Sequence, residues 1–425
     1  MEITKLEREI DIRVEESQKF RHYLFFLSGQ LFSILGSSVV SFLIVIWITF
    51  ETGSAVLLSL SSFFYLIPQI FVTLISGVVS DRFNKKTIIF LSDLCQVLVT
   101  LSLFLFLSSR LRFIIPILII SALRSIFQAL QVPVVKSLIP LMVPKEKIRR
   151  VNGLYYFLNS SVLIISPLIA SSLLSFFSIN QVIFLDLFTF ILAAVPLLFI
   201  TIPKLEKKQL DSKKPFILDF KEGFKAISEV KGLNSLILLA MCNVLIKYPL
   251  YILLPLFISI NHQGNEISLA TIIAFINGGY MLGAFITFLK KKWKHKIEII
   301  PSSLTIFYIL YFIITISPRG QFLWICILAL TANSLFPIID SLYYTLMQTK
   351  IPKEKIGRVI AIDWSLSLCI SPIGVVLSGF LSELVGIVPL FIFCSIIGIL
   401  VTVGIWCFSN IRNLCPNNSN FIQKH

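Results

Sequence analysis

The sequence predicts an all-α membrane protein: twelve transmembrane helices arranged as two parallel six-helix pseudo-repeats. Three observations predict it. The chain of 425 residues is 56% hydrophobic, only 14% charged, and has a mean hydropathy of +0.90. A soluble domain has too little polar surface to cover that much apolar material. The apolar residues fall in runs of roughly 18 or more, the length of a helix that crosses a bilayer. Finally, the pentapeptide PKEKI occurs at Pro144 to Ile148 and again at Pro352 to Ile356, about half a chain length apart.

In chain order the apolar runs place spans at 23–50, 54–80, 87–108, 113–141, 152–178 and 181–202, then at 233–260, 266–289, 297–317, 321–348, 357–383 and 386–409. The opening residues (EREIDIRVEE) mix acids and bases without an apolar core. No secretory signal is read there, so the first span is expected to act as the insertion signal. A polar stretch, 203–232, separates an N-terminal bundle (1–202) from a C-terminal bundle with a short tail (233–425). Within it Phe220, Phe224 and Ile227 share one helical face, which predicts a helix lying along the inner membrane surface; a flexible linker is the alternative.

The repeat extends beyond the pentapeptide. VPVVKSL (132–138) aligns with FPIIDSL (336–342), and ISPLIASSLLS (165–175) with ISPIGVVLSGFLS (370–382), small gaps allowed. Both PKEKI copies follow the fourth span of their half. The halves therefore point the same way through the membrane, with PKEKI marking the same hairpin in each.

The formal net charge is +15, which raises nucleic acid as a partner. The distribution argues against it. Of 37 Lys and Arg, Arg124, Lys136 and Lys247 lie inside spans, Arg358 lies at the start of one, and three lie in loops of one parity (Arg110, Arg112, Arg319); the rest occupy the tails and the loops of opposite parity. That is the positive-inside bias, and it predicts both termini in the cytoplasm of a multi-pass protein of the cytoplasmic membrane. Nucleic-acid binding is not expected, because the charges sit in short loops rather than on one basic face. All of the seven cysteines except Cys415 fall in predicted spans, and no C-x-x-C occurs; they read as apolar fillers. The four His are scattered, so no metal site is predicted. No phosphate-binding loop of an ATP-driven pump is present. No nucleophile–base arrangement appears either, so an enzyme is not expected.

Four spans carry polar stripes at helical spacing. Span 1 has Gln30, Ser33, Ser37 and Ser41; span 4 has Arg124, Gln128 and Gln131; span 7 has Asn243, Lys247 and Tyr251; span 10 has Asn333, Pro337, Asp340 and Tyr344. Such stripes in lipid must face protein or water. A mid-bilayer charge costs about 2.5–3.5 kcal/mol on insertion scales, so Arg124 and Lys247 need a reason to be there. Either they contact substrate or take part in coupling, or they form a fixed pair with an acid such as Asp340 or Asp363. Lys136 either snorkels to the nearer interface or, because the repeat aligns it with Asp340, forms an inner gate with that residue. Asp340 is the acid placed deepest in a polar-stripe helix and is the candidate proton carrier. Asp93, Asp186 and Asp363 read as structural.

From Gly77 the chain reads GVVSDRFNKKTIIFLSDL. This resembles the loop 2–3 signature of the major facilitator superfamily, with Gly77, Asp81, Arg82, Lys85 and Lys86 at the matching positions and Asn84 in place of a Gly. TGSA (52–55), SDL (92–94), SLIPLMVPKEKI (137–148), FKEGF (220–224) and PKEKIGRV (352–359) are similar to the macrolide-efflux and siderophore-exporter branch, and in order they cover nearly the whole chain. The resemblance implies an exporter working by alternating access and driven by an ion gradient, usually protons. It needs no other cofactor, acts as a monomer, and takes a small molecule such as a macrolide or, alternatively, an anionic metabolite such as a siderophore. It further implies that helices 1, 4, 7 and 10 line a central cavity. Asp81 would act as a latch toward the N-terminus of helix 11, and Pro167 and Pro372 would bend helices 5 and 11. Two antiporter signatures are partly met. Arg124 is present but runs into SIFQALQ, and helix 5 keeps Gly153, Ser166, Pro167, Ala170 and Ser171 with Val162 where a Gly is usual. A non-transporting scaffold is the remaining reading, and four polar stripes argue against it.

Overall fold

A computed structural model describes residues 2–108, 115–202, 224–290 and 293–414. Among these the secondary structure is helical and twelve helices are long and apolar enough to span a membrane. They are α1 (Ser17–Thr52), α2 (Ala55–Ser76), α3 (Lys85–Ser108), α4 (Ile115–Met142), α5 (Arg150–Leu174), α6 (Ile179–Phe199), α7 (Leu233–Asn261), α8 (Glu266–Leu289), α9 (Lys296–Thr315), α10 (Phe322–Lys350), α11 (Lys355–Val385) and α12 (Ile387–Phe408). Each span expected from the sequence is found. Hydrocarbon offers no partner for backbone N–H and C=O groups, so a chain of apolar runs satisfies them within helices. The helix of α1 begins at Glu2 and that of α2 continues to Arg82, so charged flanks extend two of the apolar segments. Most of the 203–232 stretch lies outside the described residues; its end is helical over 224–229, with Ile227 buried and Phe224 exposed.

The chain forms two compact units: Met1–Thr52 with Leu60–Lys208, and Gly53–Ser59 with Gln209–His425. The first turn of α2 thus groups with the second unit. In the first unit α1 packs on α5 and α6, and α3 on α4 and α6. In the second, α7 packs on α11 and α12, and α9 on α10 and α12. Shifting every helix number by six maps one set onto the other, which is the internal repeat seen as packing. The two PKEKI turns open alike at their prolines, although the first continues as a 3-10 turn over Lys145–Lys147 and the second runs directly into a helix from Lys353. Pro144 has φ −53° and ψ 141°, Pro352 has φ −55° and ψ 141°, and each proline carbonyl accepts from the N–H three residues on at 2.9 Å.

Small residues set the tightest approach in the second unit. A Cβ added at Gly279 would lie 2.4 Å from the Leu330 carbonyl oxygen, and one at Gly283 would lie 2.0 Å from that of Ser334. This Gly-x-x-x-Gly face lets the backbones of α8 and α10 touch. In the first unit Gly36 does the same for α1 against α6: a Cβ there would meet Thr189 Oγ1 at 2.0 Å and Asp186 Oδ1 at 3.0 Å.

Candidate functional site

Each unit carries its own polar cavity, built largely from the stripes. In the first unit α1, α3, α4 and α5 enclose a cavity of about 40 Å³ whose polar lining is Gln30, Ser33, Ser37, Gln96, Gln128, Gln131 and Tyr155. Beside it stands Asp93 of α3, buried at 4% exposure. Its Oδ1 accepts from Ser33 Oγ at 2.6 Å and from Gln131 Nε2 at 2.9 Å, and its Oδ2 from Gln30 Nε2 at 3.3 Å. Gln131 Nε2 also donates to Gln30 Oε1 at 3.0 Å, and Gln96 Nε2 to Gln131 Oε1 at 3.1 Å. Gln128 accepts from Tyr65 of α2.

Arg124 lies next to this cluster, also buried. Its acid is Asp186 of α6, at 3.2 Å with both side chains 3% exposed, rather than Asp340 or Asp363. Arg124 Nη2 donates to the Ser37 carbonyl at 3.0 Å, Nη1 also donates to Thr100 Oγ1, and Thr100 Oγ1 donates to Asp186 Oδ2 at 2.6 Å. A guanidinium with several fixed donors suits such a buried station better than a lysine would. The polar face of α1 therefore meets partners on α3, α4 and α6. Sequence reading did not use α3 for the site, although Asp93, Gln96 and Thr100 recur at i, i+3 and i+7, a stripe as regular as those on the other four helices.

In the second unit a larger cavity of about 160 Å³ lies between α7, α8, α9, α10 and α11. Asn243, Lys247, Asp340 and Tyr344 from the stripes line it, joined by Tyr280, Phe336, Tyr343 and Asp363. Tyr251 and Asn333 stand beside it, hydrogen-bonded to each other, with the Tyr251 hydroxyl 3.4 Å from that of Tyr280. Lys247 Nζ sits over two aromatic faces, 4.3 Å from the Phe336 ring centroid and 5.4 Å from that of Tyr251, a cation–π seat. Asp340 lines the same cavity, yet among the described residues Lys247 makes no direct ion pair. Asp363, read from sequence as structural, is a lining residue and accepts from the Tyr343 hydroxyl. Asn243 accepts from Tyr308 at 2.7 Å. A cation on an aromatic wall with a carboxylate in the same cavity is chemistry for binding: it offers stacking, one positive and one negative contact. Among the described residues no group of His, Cys, Asp and Glu is placed to hold a metal.

The remaining sequence-predicted residues are spread more widely. Lys85 Nζ donates to the Ser80 carbonyl and hydroxyl at 3.1 and 2.8 Å. Lys86 Nζ donates to the carbonyls of Leu198 and Ile200 at 2.7 and 3.0 Å, satisfying the C-terminal end of α6. The basic pair is thus engaged within its own unit. The surroundings of Gly77 and the side chains of Asp81 and Arg82 lie outside what the structure describes. Lys136 is exposed, 5.8 Å from the Tyr156 ring centroid. Pro167 and Pro372 are interior to the helices of α5 and α11.

The sequence pattern described as Major Facilitator Superfamily matches residues 26–373. The chain belongs to the major facilitator superfamily. Relatives include macrolide efflux protein A of Streptococcus pyogenes, 26% identical over 393 residues, which is 91% of this chain and 96% of that protein. The protein of the same name from Enterococcus faecalis is 26% identical over 327 residues, covering 76% of this chain and 99% of its own length. Solved structures agree on the fold. A bacterial homolog of the human lysosomal transporter Spinster superposes with TM-score 0.67 at 14% identity, covering 91% of this chain and 96% of its own. A bacterial homologue of the iron transporter ferroportin does so with TM-score 0.66 at 15% identity, covering 91% and 98%. This major facilitator protein is a multi-pass membrane transporter of small molecules, not an enzyme.

Proposed function

We propose that this transporter exports an amphipathic small molecule of the macrolide kind across the cytoplasmic membrane, by alternating access and at the expense of a proton gradient. The observation that carries the reading is the match to macrolide efflux protein A along 91% of the chain. The cavity of the second unit supports it. Phe336 and Tyr280 offer apolar faces, while Lys247 and Asp340 offer one charge of each sign to a polar portion of the substrate. Asp340 carries a coupling proton in this reading. Lys136, aligned with Asp340 by the repeat, forms the inner gate with it, and the loop 2–3 residues Gly77, Asp81 and Arg82 form the latch implied by the family signature. The charge asymmetry supports termini in the cytoplasm, and the protein acts as a monomer.

Erythromycin accumulation in efflux-deficient bacteria tests this. Cells making the protein should accumulate less drug, and a protonophore should remove the difference. Lys247→Met should lower efflux by about tenfold, the equivalent of one lost contact to a charged group of about 1.5 kcal/mol. One observation favours a second substrate class. Because Lys247 lacks a direct ion pair among the described residues, its ammonium suits an anionic metabolite such as a siderophore. Unchanged erythromycin accumulation would move the assignment there.

A further inference from the structure

The first unit holds two buried carboxylates and one guanidinium in a single hydrogen-bonded network. Asp186 is matched by Arg124 at 3.2 Å. Asp93 is not: its partners Ser33, Gln30 and Gln131 are all neutral. Ser37 joins the two carboxylates, its hydroxyl lying 3.5 Å both from Gln96 Oε1 on the Asp93 side and from Asp186 Oδ1. With both acids ionised the network carries one net negative charge at membrane depth; with one proton bound it is neutral. Among the nearby titratable and charged groups, Arg124 on α4 and Asp186 on α6 pair with each other and connect to the Asp93 cluster through Ser37, and Tyr155 on α5 lines the adjoining cavity; α1 contacts Asp93 with Gln30 and Ser33. Arg124 spends its donors on Asp186, Thr100 and the Ser37 carbonyl, so it leaves Asp93 as the carboxylate with room for a proton.

Ser33 makes that proton easy to hold. A hydroxyl donates and accepts by rotating its hydrogen. The 2.6 Å contact between Ser33 Oγ and Asp93 Oδ1 can run from serine to carboxylate or from carboxylic acid to serine with no heavy atom moved. The adjoining cavity of about 40 Å³ is polar and large enough for a water molecule to bring the proton.

We propose that Asp93 is a proton-binding residue of the coupling machinery in the first unit, distinct from Asp340 in the second, with Ser33 as the partner of the bound proton and the charge-balanced Arg124–Asp186 pair leaving the Asp93 charge uncompensated. The step is simple: the Asp93 carboxylate takes a proton from water on one side of the membrane and releases it to water on the other, and no other bond changes. The assignment rests on the proton-driven reading above.

The test uses the full chain in lipid nanodiscs and in cells. Infrared spectra taken across a pH series should contain a carboxylic-acid carbonyl band that Asp93→Asn removes and Asp340→Asn leaves. An Asp93→Asn spectrum identical to wild type would overturn the proposal. Ser33→Ala should shift the pH at which that band appears, and an unshifted band would remove Ser33 from the role. In cells, Asp93→Asn should abolish protonophore-sensitive erythromycin efflux, while the purified variant still exchanges labelled for unlabelled erythromycin across vesicles without a gradient. If wild-type efflux is protonophore-sensitive and Asp93→Asn retains it, this assignment alone falls. If wild-type efflux ignores the protonophore, proton driving falls and the coupling role with it, and the infrared band reports separately on whether Asp93 binds a proton.

Discussion

Replacing Arg124 by alanine should destabilise the protein by about 3–5 kcal/mol, the usual cost of removing one member of a buried ion pair. The side chain is 3% exposed and serves Asp186, Thr100 and the Ser37 carbonyl at once. Its loss leaves the buried Asp186 carboxylate without its countercharge, held only by the neutral hydroxyls of Thr100 and Ser37. Asp186→Asn should cost nearly as much, because it strands the guanidinium instead. The double change Arg124→Leu with Asp186→Asn should recover part of the loss, since most of the penalty comes from the orphaned charge rather than from the pair itself. Thermal unfolding of the detergent-solubilised protein reads all three. An Arg124→Ala protein as stable as wild type would mean that the pair is hydrated and not part of the packed bundle.

The second large effect is steric. Gly283→Leu should separate α8 from α10, because even a Cβ there would lie 2.0 Å from the Ser334 carbonyl oxygen, a backbone atom that cannot rotate away. Overpacking usually costs about 1–3 kcal/mol, and this position should reach or exceed the upper end. The neighbouring Gly278 is the control: a Cβ there meets nothing within 4 Å, so Gly278→Leu should leave the unfolding temperature unchanged. Equal behaviour of the two variants would mean that the close helix crossing is not a determinant of the fold.

These two sites show what a sequence can and cannot display. The spans were legible because length and apolar content alone decide whether a helix crosses a membrane. The duplication was legible because PKEKI keeps its residues, and the prolines that open the two copies, Pro144 and Pro352, agree within 2° in φ. The stripes of α7 and α10 mark faces turned to protein or water, and Lys247, Asn243, Asp340 and Tyr344 from those stripes line a cavity within the second unit. Partner choice was not legible. Helical spacing says which face of α4 carries Arg124, but not which helix lies against that face, so an acid 62 residues away on α6 could not be preferred over Asp340 or Asp363. Asp93 was set aside because its helix was not expected to contribute, although the regular spacing of Asp93, Gln96 and Thr100 was on view. The glycine crossing was visible as Gly-x-x-x-Gly, but a motif of two small residues gains meaning only when an opposing backbone is found.

The most direct test of the transport account is erythromycin flux into proteoliposomes containing only this protein, with an imposed pH gradient. The account predicts protein-dependent drug movement against the direction of proton flow, lost when the gradient is collapsed and reduced by about tenfold in Lys247→Met. Erythromycin flux no greater than in empty liposomes, with the gradient imposed in either direction, would contradict it.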